Sequence, residues 1–204
     1  MTPKVSILVP CYNQEILAIK ALDSIPRRND IEVIASDDGS TDRTLYLLEK
    51  YKDEHPELNL TIRSNGRNLG CFANGNRLLE CATGEYIHTL DNDDYLYTEA
   101  YNNAIDAING EDCVFIDLQI NNGFVFRLLP ESRMSFCAPT TKFVRRAFAE
   151  GIRYPENEKN AGDWYYALEL FDRNPTCKYT GIIAYHYNHP REGSIYDLLT
   201  KGLL

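Results

Sequence analysis

Positive charge is scarce in this sequence. Twenty-one Lys and Arg face 30 Asp and Glu, giving a formal net charge of −9 over 204 residues. Nucleic-acid backbones bind to basic surfaces, so nucleic acid is excluded as an expected partner. A phosphorylated small molecule is not excluded, because a metal ion masks negative charge locally. Cysteine-pairing motifs are also missing. Cys11, Cys71, Cys81, Cys113, Cys137 and Cys177 are scattered without a CxxC pair, which argues against a zinc site or a dense disulfide frame. No apolar run approaches the roughly 20 residues of a membrane-spanning helix. No targeting signal precedes the strand-like run beginning at Val5. The expectation is a reduced, cytoplasmic enzyme with no transmembrane segment. The tail 198–204 leaves open a peripheral contact with the inner face of a membrane, against the plainer reading of a packed terminus. The oligomeric state is not readable.

What is present is an ordinary globular composition, 44% hydrophobic and 25% charged. Apolar runs at 5–10, 31–36, 58–63 and 85–90 predict strands. Helical faces lie between and after them. Ile16, Ile19 and Leu22 follow a cap at Asn13, and Leu45, Leu48 and Tyr51 follow a cap at Ser40. A third helix runs over 71–83 to Gly84, and a fourth carries Tyr101, Ala104, Ile105 and Ile108. This alternation predicts an α/β fold with a mostly parallel central sheet flanked by helices. Later, 113–120 and 124–129 read as a hairpin around Asn121-Asn122-Gly123. Phe143, Val144, Ala147 and Phe148 suggest a helix closed by Gly151, Trp164, Leu168 and Phe171 mark another, and 178–187 reads as a last strand. With no repeat or linker, one domain is expected. Residues 1–110 would form a nucleotide half and 111–204 a less regular acceptor half.

Three polar motifs follow apolar strands: Pro10-Cys11-Tyr12-Asn13, Asp37-Asp38-Gly39-Ser40 and Asp91-Asn92-Asp93-Asp94. Ligands of open α/β sheets sit beyond the carboxyl ends of the strands, so the three would converge on one cleft. Asp91 and Asp93 are two apart and point the same way in extended chain. Their repulsion is relieved by a cation, and Mg2+ or Mn2+ takes such oxygen ligands together with substrate phosphates. The plainer alternative is a solvated acidic turn. Asp37 or Asp38 could accept hydrogen bonds from a nucleotide base or ribose, or simply form a turn. Asn68-Leu69-Gly70 opens the helix carrying Asn76, and free N–H groups at a helix start suit phosphate. Asp163 beside Trp164 could be a partly desolvated general base with an aromatic surface for a sugar, or a helix cap beside a core ring. His186 could be a metal ligand or a structural histidine. Arg191 could grip a diphosphate or face solvent.

In order and spacing these motifs resemble family-2 glycosyltransferases of the GT-A fold. The likeness is dense over 4–97 and resumes at 162–171 and 185–194. It implies a metal-dependent hexosyltransferase of the polysaccharide-biosynthesis kind, using a UDP-sugar or similar donor, Mn2+ or Mg2+, and a glycan or lipid-linked acceptor, with inversion. By that pattern Asp37 contacts the base and Asp38 supports its pocket. Asp91 and Asp93 form the DxD pair, with Asp93 the direct metal ligand, and Asp163 is the catalytic base. Pro10, Tyr12, Asn13, Asn68, Gly70, Asn76, Asn92 and Arg191 are the remaining donor-binding candidates, His186 is a further metal candidate, and Trp164 a candidate acceptor contact. Two departures stand out. Gly75 precedes Asn76 where the family carries arginine, and Gly162 precedes Asp163 where it often carries glutamate. They keep a catalytically silent nucleotide-sugar-binding module as the alternative. A nucleotidyltransferase is disfavoured because Pro10 to Glu15 is neither glycine-rich nor basic.

Overall fold

Strand β1 (Val5–Cys11) lies between two parallel neighbours and is buried at every position but Pro10, which is why it reads as an unbroken apolar run. The computed structural model describes residues 2–158 and 161–190. On one side β1 pairs with β2 (Ile31–Asp37), which pairs with β3 (Leu60–Ser64); on the other it pairs with β4 (Tyr86–Thr89). Helices α1 (Glu15–Asp23), α2 (Thr44–Glu54) and α3 (Cys71–Cys81) make the crossovers. Beyond β4 come β5 (Tyr95–Leu96), α4 (Thr98–Asp106), β6 (Cys113–Ile120), β7 (Val125–Phe126), α5 (Arg133–Phe136), β8 (Lys142–Arg145), α6 (Gly162–Asp172) and β9 (Cys177–Tyr187). Among the described residues one sheet runs in the order β3-β2-β1-β4-β8-β6-β9-β5, with β7 on β6.

The α/β expectation stands, with parallel pairing through β3-β2-β1-β4. The sheet becomes mixed where β8 enters, antiparallel to both β4 and β6. Here the helix expected over Phe143–Phe148 is corrected. Phe143 and Val144 are both buried because a strand inserted between two others is covered on both faces. A short apolar pair of that kind cannot distinguish strand from helix by period. The expected caps are corrected too. Asn13 and Ser40 do not cap α1 and α2, which begin after Gln14 and Arg43. Instead the Asn13 N–H donates to Ser40 Oγ at 2.9 Å, and Asn13 Oδ1 accepts from the Thr41 N–H at 2.9 Å. The polar side chains stitch the loop after β1 to the loop after β2. Among the described residues no helix is long and apolar enough to cross a membrane.

A polar knot at the centre of the sheet binds the halves together. His88 on β4 is 1% exposed, with Nε2 2.9 Å from the Thr140 carbonyl and Nδ1 2.9 Å from the Tyr101 hydroxyl. A carbonyl only accepts, so Nε2 carries the proton and Nδ1 accepts from Tyr101, which satisfies neutral imidazole completely. Burial, with nearby Lys142 adding and the Thr140 carbonyl opposing, pushes the His88 pKa down to about 4. From its ordinary value of 6.5 down to about 4, the unfolded chain takes up a proton here that the folded chain refuses. Stability present above that window is therefore lost as pH falls through it, by about 3 kcal/mol. In urea unfolding, wild type should lose up to that much more than His88→Gln between neutral pH and the lower limit. Parallel pH profiles would show that His88 is not the source.

Candidate functional site

The carboxyl ends of β1, β2 and β4 point to one edge of the sheet, and the three polar motifs gather there. Asp37 ends β2 and is 1% exposed. Its Oδ2 accepts from the N–H groups of Gly39 (3.1 Å) and Ser40 (3.2 Å), while its Oδ1 is buried with no hydrogen-bond partner among the described residues. A buried carboxylate oxygen left unpaired is costly, so this atom marks a place where a ligand N–H or O–H would be stabilised. Asp38 spends its charge on the protein. It accepts from Leu69 N–H, Gly70 N–H and the Asn65 amide, each at 2.9 Å, and so pins the loop ahead of α3. Asn68 is exposed in that loop and accepts from the Gly70 N–H through its own side chain.

Gly39 makes this clamp possible. Its φ is +69°, and a Cβ there would fall inside the backbone of Arg67 and Asn68. Only glycine combines that left-handed conformation with such a close approach.

The acidic run begins where β4 stops. Asp91 N–H donates to Tyr185 Oη at 3.2 Å, and Tyr185 donates to Asp94 Oδ2 at 2.6 Å. Asp94 Oδ1 accepts from the Asn188 N–H at 2.8 Å. Asp94, 2% exposed, thus ties the run to β9. Burial raises the pKa of both Asp91 and Asp94. Repulsion from Asp93 and Asp163 adds to the rise at Asp91, and repulsion from Asp91 adds to it at Asp94. Asn92 buries its Nδ2 beside the Cys11 thiol, with no full hydrogen-bond partner among the described residues. Burial, then Asp37, pushes that thiol far above the usual range, so Cys11 is no nucleophile.

Asp163 reaches the same place from the first turn of α6, after the cap residue Ala161, and its Oδ1 accepts from the Trp164 N–H at 3.0 Å. Asp163 and Asp91 line one cleft of about 580 Å³, together with Pro10, Thr89 and Tyr154. Asp163 is exposed, so the desolvation expected from its aromatic neighbours is absent. The oxygen-only donor set and the mutual repulsion suit a hard divalent cation. Among the described residues no three His, Cys, Asp or Glu side chains cage a metal by themselves.

Several expected contacts are relocated. His186 places Nδ1 2.9 Å from the Tyr97 hydroxyl and Nε2 2.8 Å from Asn121 Oδ1, and its ring stacks on Tyr95 at 4.1 Å. Both nitrogens are engaged with protein groups. Asn76 is buried, with its amide spent on the Tyr154 backbone and Glu156 rather than on a ligand. Trp164 is half-buried and does not line the cleft. Tyr12 and Asn13 are exposed after β1. Arg191 lies outside the described residues. Residue type alone does not mark the Asp94–Tyr185 link; successive strand residues point to opposite faces, and Tyr185 is the buried one. Tyr154 had no periodic signal.

The model of glycosyl transferase family 2 matches residues 6–168, and the chain therefore belongs to that family, with the GT-A fold. It is 30% identical over 213 residues to poly(ribitol-phosphate) β-N-acetylglucosaminyltransferase TarS of Staphylococcus aureus, covering 93% of this chain and 36% of the relative. It is 28% identical to chondroitin synthase of Escherichia coli, covering 90% of this chain and 29% of the relative. The crystal structure of S. aureus TarS 1–349 in complex with UDP-GlcNAc superposes with a TM-score of 0.80 at 28% identity, over 94% of this chain and 60% of that one. The chain thus spans about a third of the length of these curated relatives.

Gly39→Ala should cost about 3 kcal/mol, the sum of left-handed strain and overpacking. Gly66→Ala is the control, since Gly66 has a similar φ of +68° but nothing within 4 Å. It should lose only about 1 kcal/mol. Equal shifts in the urea midpoint would mean that the approach to Arg67 imposes nothing.

Proposed function

We propose that this chain transfers a sugar from a nucleotide-sugar donor of the UDP type to a saccharide or lipid-linked saccharide acceptor, with inversion. The observation that carries the reading is that Asp91, from the acidic run, and Asp163, from α6, line one cleft. An inverting transfer needs two groups on opposite sides of a sugar: charge stabilisation for the departing diphosphate and a base for the acceptor hydroxyl. The name of TarS, an N-acetylglucosaminyltransferase, and the UDP and UDP-GlcNAc in its crystal structures support a UDP-sugar donor. In this reading the chain acts as one unit, with donor binding in about 1–110 and acceptor binding in about 111–204.

Asp37 offers its unpartnered Oδ1 to the base or ribose, while Asp38 holds the Asn68–Gly70 loop that borders that pocket. Asp93 and Asp91 would hold a divalent cation, Mn2+ or Mg2+, which when bound supplies positive charge to the diphosphate. Asp163 takes the proton of the acceptor hydroxyl as its oxygen attacks the anomeric carbon from the face opposite the diphosphate.

Asp93→Ala should lose Mn2+-dependent UDP affinity by at least about tenfold while retaining the fold. Unchanged affinity by calorimetry would sink the metal assignment. Asp163→Asn should keep donor affinity and lose transfer by about 10² to 10⁴. Near-normal transfer would put the base elsewhere. A wild-type chain that binds UDP but neither transfers nor hydrolyses any UDP-sugar would instead support the silent binding module that the Gly162 departure allows.

A further inference from the structure

The ring of Tyr154 occupies space that a side chain at position 75 would need. A Cβ added to Gly75 of α3 would lie 3.1 Å from the Cδ2 and Cε2 atoms of that ring. Tyr154 belongs to the irregular segment between β8 and α6, where no helix or strand sets its backbone. Asn76 sets it instead. Its Oδ1 accepts from the Tyr154 N–H and its Nδ2 donates to the Tyr154 carbonyl, each at 2.9 Å. One side-chain amide thus holds both backbone groups, as a neighbouring strand would.

The ring is fixed as firmly as the backbone. It stacks on Tyr166 at 4.5 Å and on Phe72 at 5.9 Å, with interplanar angles of 18° and 17°. With its ring packed on these two and on Gly75, Tyr154 has its hydroxyl left to present. That hydroxyl lies beside the Thr89 side chain, in the cleft that Thr89, Asp91 and Asp163 also line. Burial, with Tyr166, Asp91 and Asp163 adding, pushes its pKa well above the usual tyrosine range, so it is a neutral O–H donor at physiological pH.

A sugar in transit must lie between the group that holds its diphosphate and the group that deprotonates its acceptor. Tyr154 stands with Asp91 and Asp163 in the cleft where these two requirements meet. We propose that Tyr154 is a specificity-determining residue that donates a hydrogen bond to one hydroxyl of the donor's sugar ring and selects donors by the position of that hydroxyl. This rests on the reading of the cleft as a nucleotide-sugar site. A fixed polar group of this kind discriminates strongly, because the wrong sugar leaves it unpaired.

The test is calorimetric titration of wild type and Tyr154→Phe, in Mn2+, with UDP, UDP-glucose, UDP-galactose and UDP-GlcNAc. The phenylalanine keeps the ring stack and removes only the hydroxyl. Affinity for UDP should stay within about twofold of wild type, while affinity for the preferred UDP-sugar falls by about tenfold and its lead over the other sugars closes. Unchanged sugar affinities and ranking would overturn the proposal. So would an equal loss for UDP and every UDP-sugar, which would mark a general structural role. A wild-type chain that binds UDP but shows no added affinity or preference for any sugar overturns the Tyr154 assignment alone. One that binds neither UDP nor any UDP-sugar removes the donor-site reading, and this inference with it.

Discussion

The buried carboxylate of Asp94 is the contact on which the arrangement of this site depends. It accepts from a tyrosine hydroxyl on β9 and from the Asn188 backbone N–H just beyond it, while the same tyrosine accepts from the backbone of Asp91. The two halves of the sheet are thereby joined at the point where the acidic run leaves β4. Burying a carboxylate is costly unless its oxygens are paired, and here both are. The position of Asp91 is thus set by the fold, so its side chain is held in the cleft before any ligand arrives.

A division of labour between neighbouring acidic residues follows the same physics. Asp38 and Asp94 are turned inward and spend their charge on backbone N–H groups and a tyrosine. Asp37 keeps one oxygen without a hydrogen-bond partner among the described residues, and Asp91 faces the cleft. Each acidic motif thus contains one carboxylate whose two oxygens are both paired within the protein, Asp38 in the first and Asp94 in the second. Lys142 holds the stretch that contributes Cys137 and Ala138 to the cleft lining. Its fully buried ammonium donates to the carbonyls of Phe136 and Ala138, and burial brings its pKa down to about 8.

The two glycines that depart from the family pattern have a common physical origin. A Cβ at Gly75 would press on Tyr154, and one at Gly162 would come within 2.6 Å of the ring of Phe72. Phe72, Tyr154 and Tyr166 form a stacked aromatic row, of which Phe72 and Tyr154 line the cleft. Each missing side chain makes room for a ring of that row, so both departures reflect how this chain packs these aromatics.

The parallel half of the fold was legible because buried strands are apolar runs and the motifs that matter follow them directly: Cys11–Asn13, Asp37–Ser40 and Asp91–Asp94. Chemical identity and strand-end position were sufficient to bring these residues to one edge. The second half was less legible. A four-residue strand such as β8 carries too few positions for a period, and the Tyr154 segment has none. Nor does residue type tell where hydrogen-bonding capacity is spent: Asn76 and His186 look like ligand-binding residues, but their polar atoms are taken up by Tyr154, Glu156, Tyr97 and Asn121. The sequence by itself determined the fold class and the acidic residues that gather at the sheet edge, because hydrophobic period and motif order are local properties. Only the tertiary structure decided which of those side chains face the cleft and which hold it together, because that choice depends on partners 27 to 94 residues away.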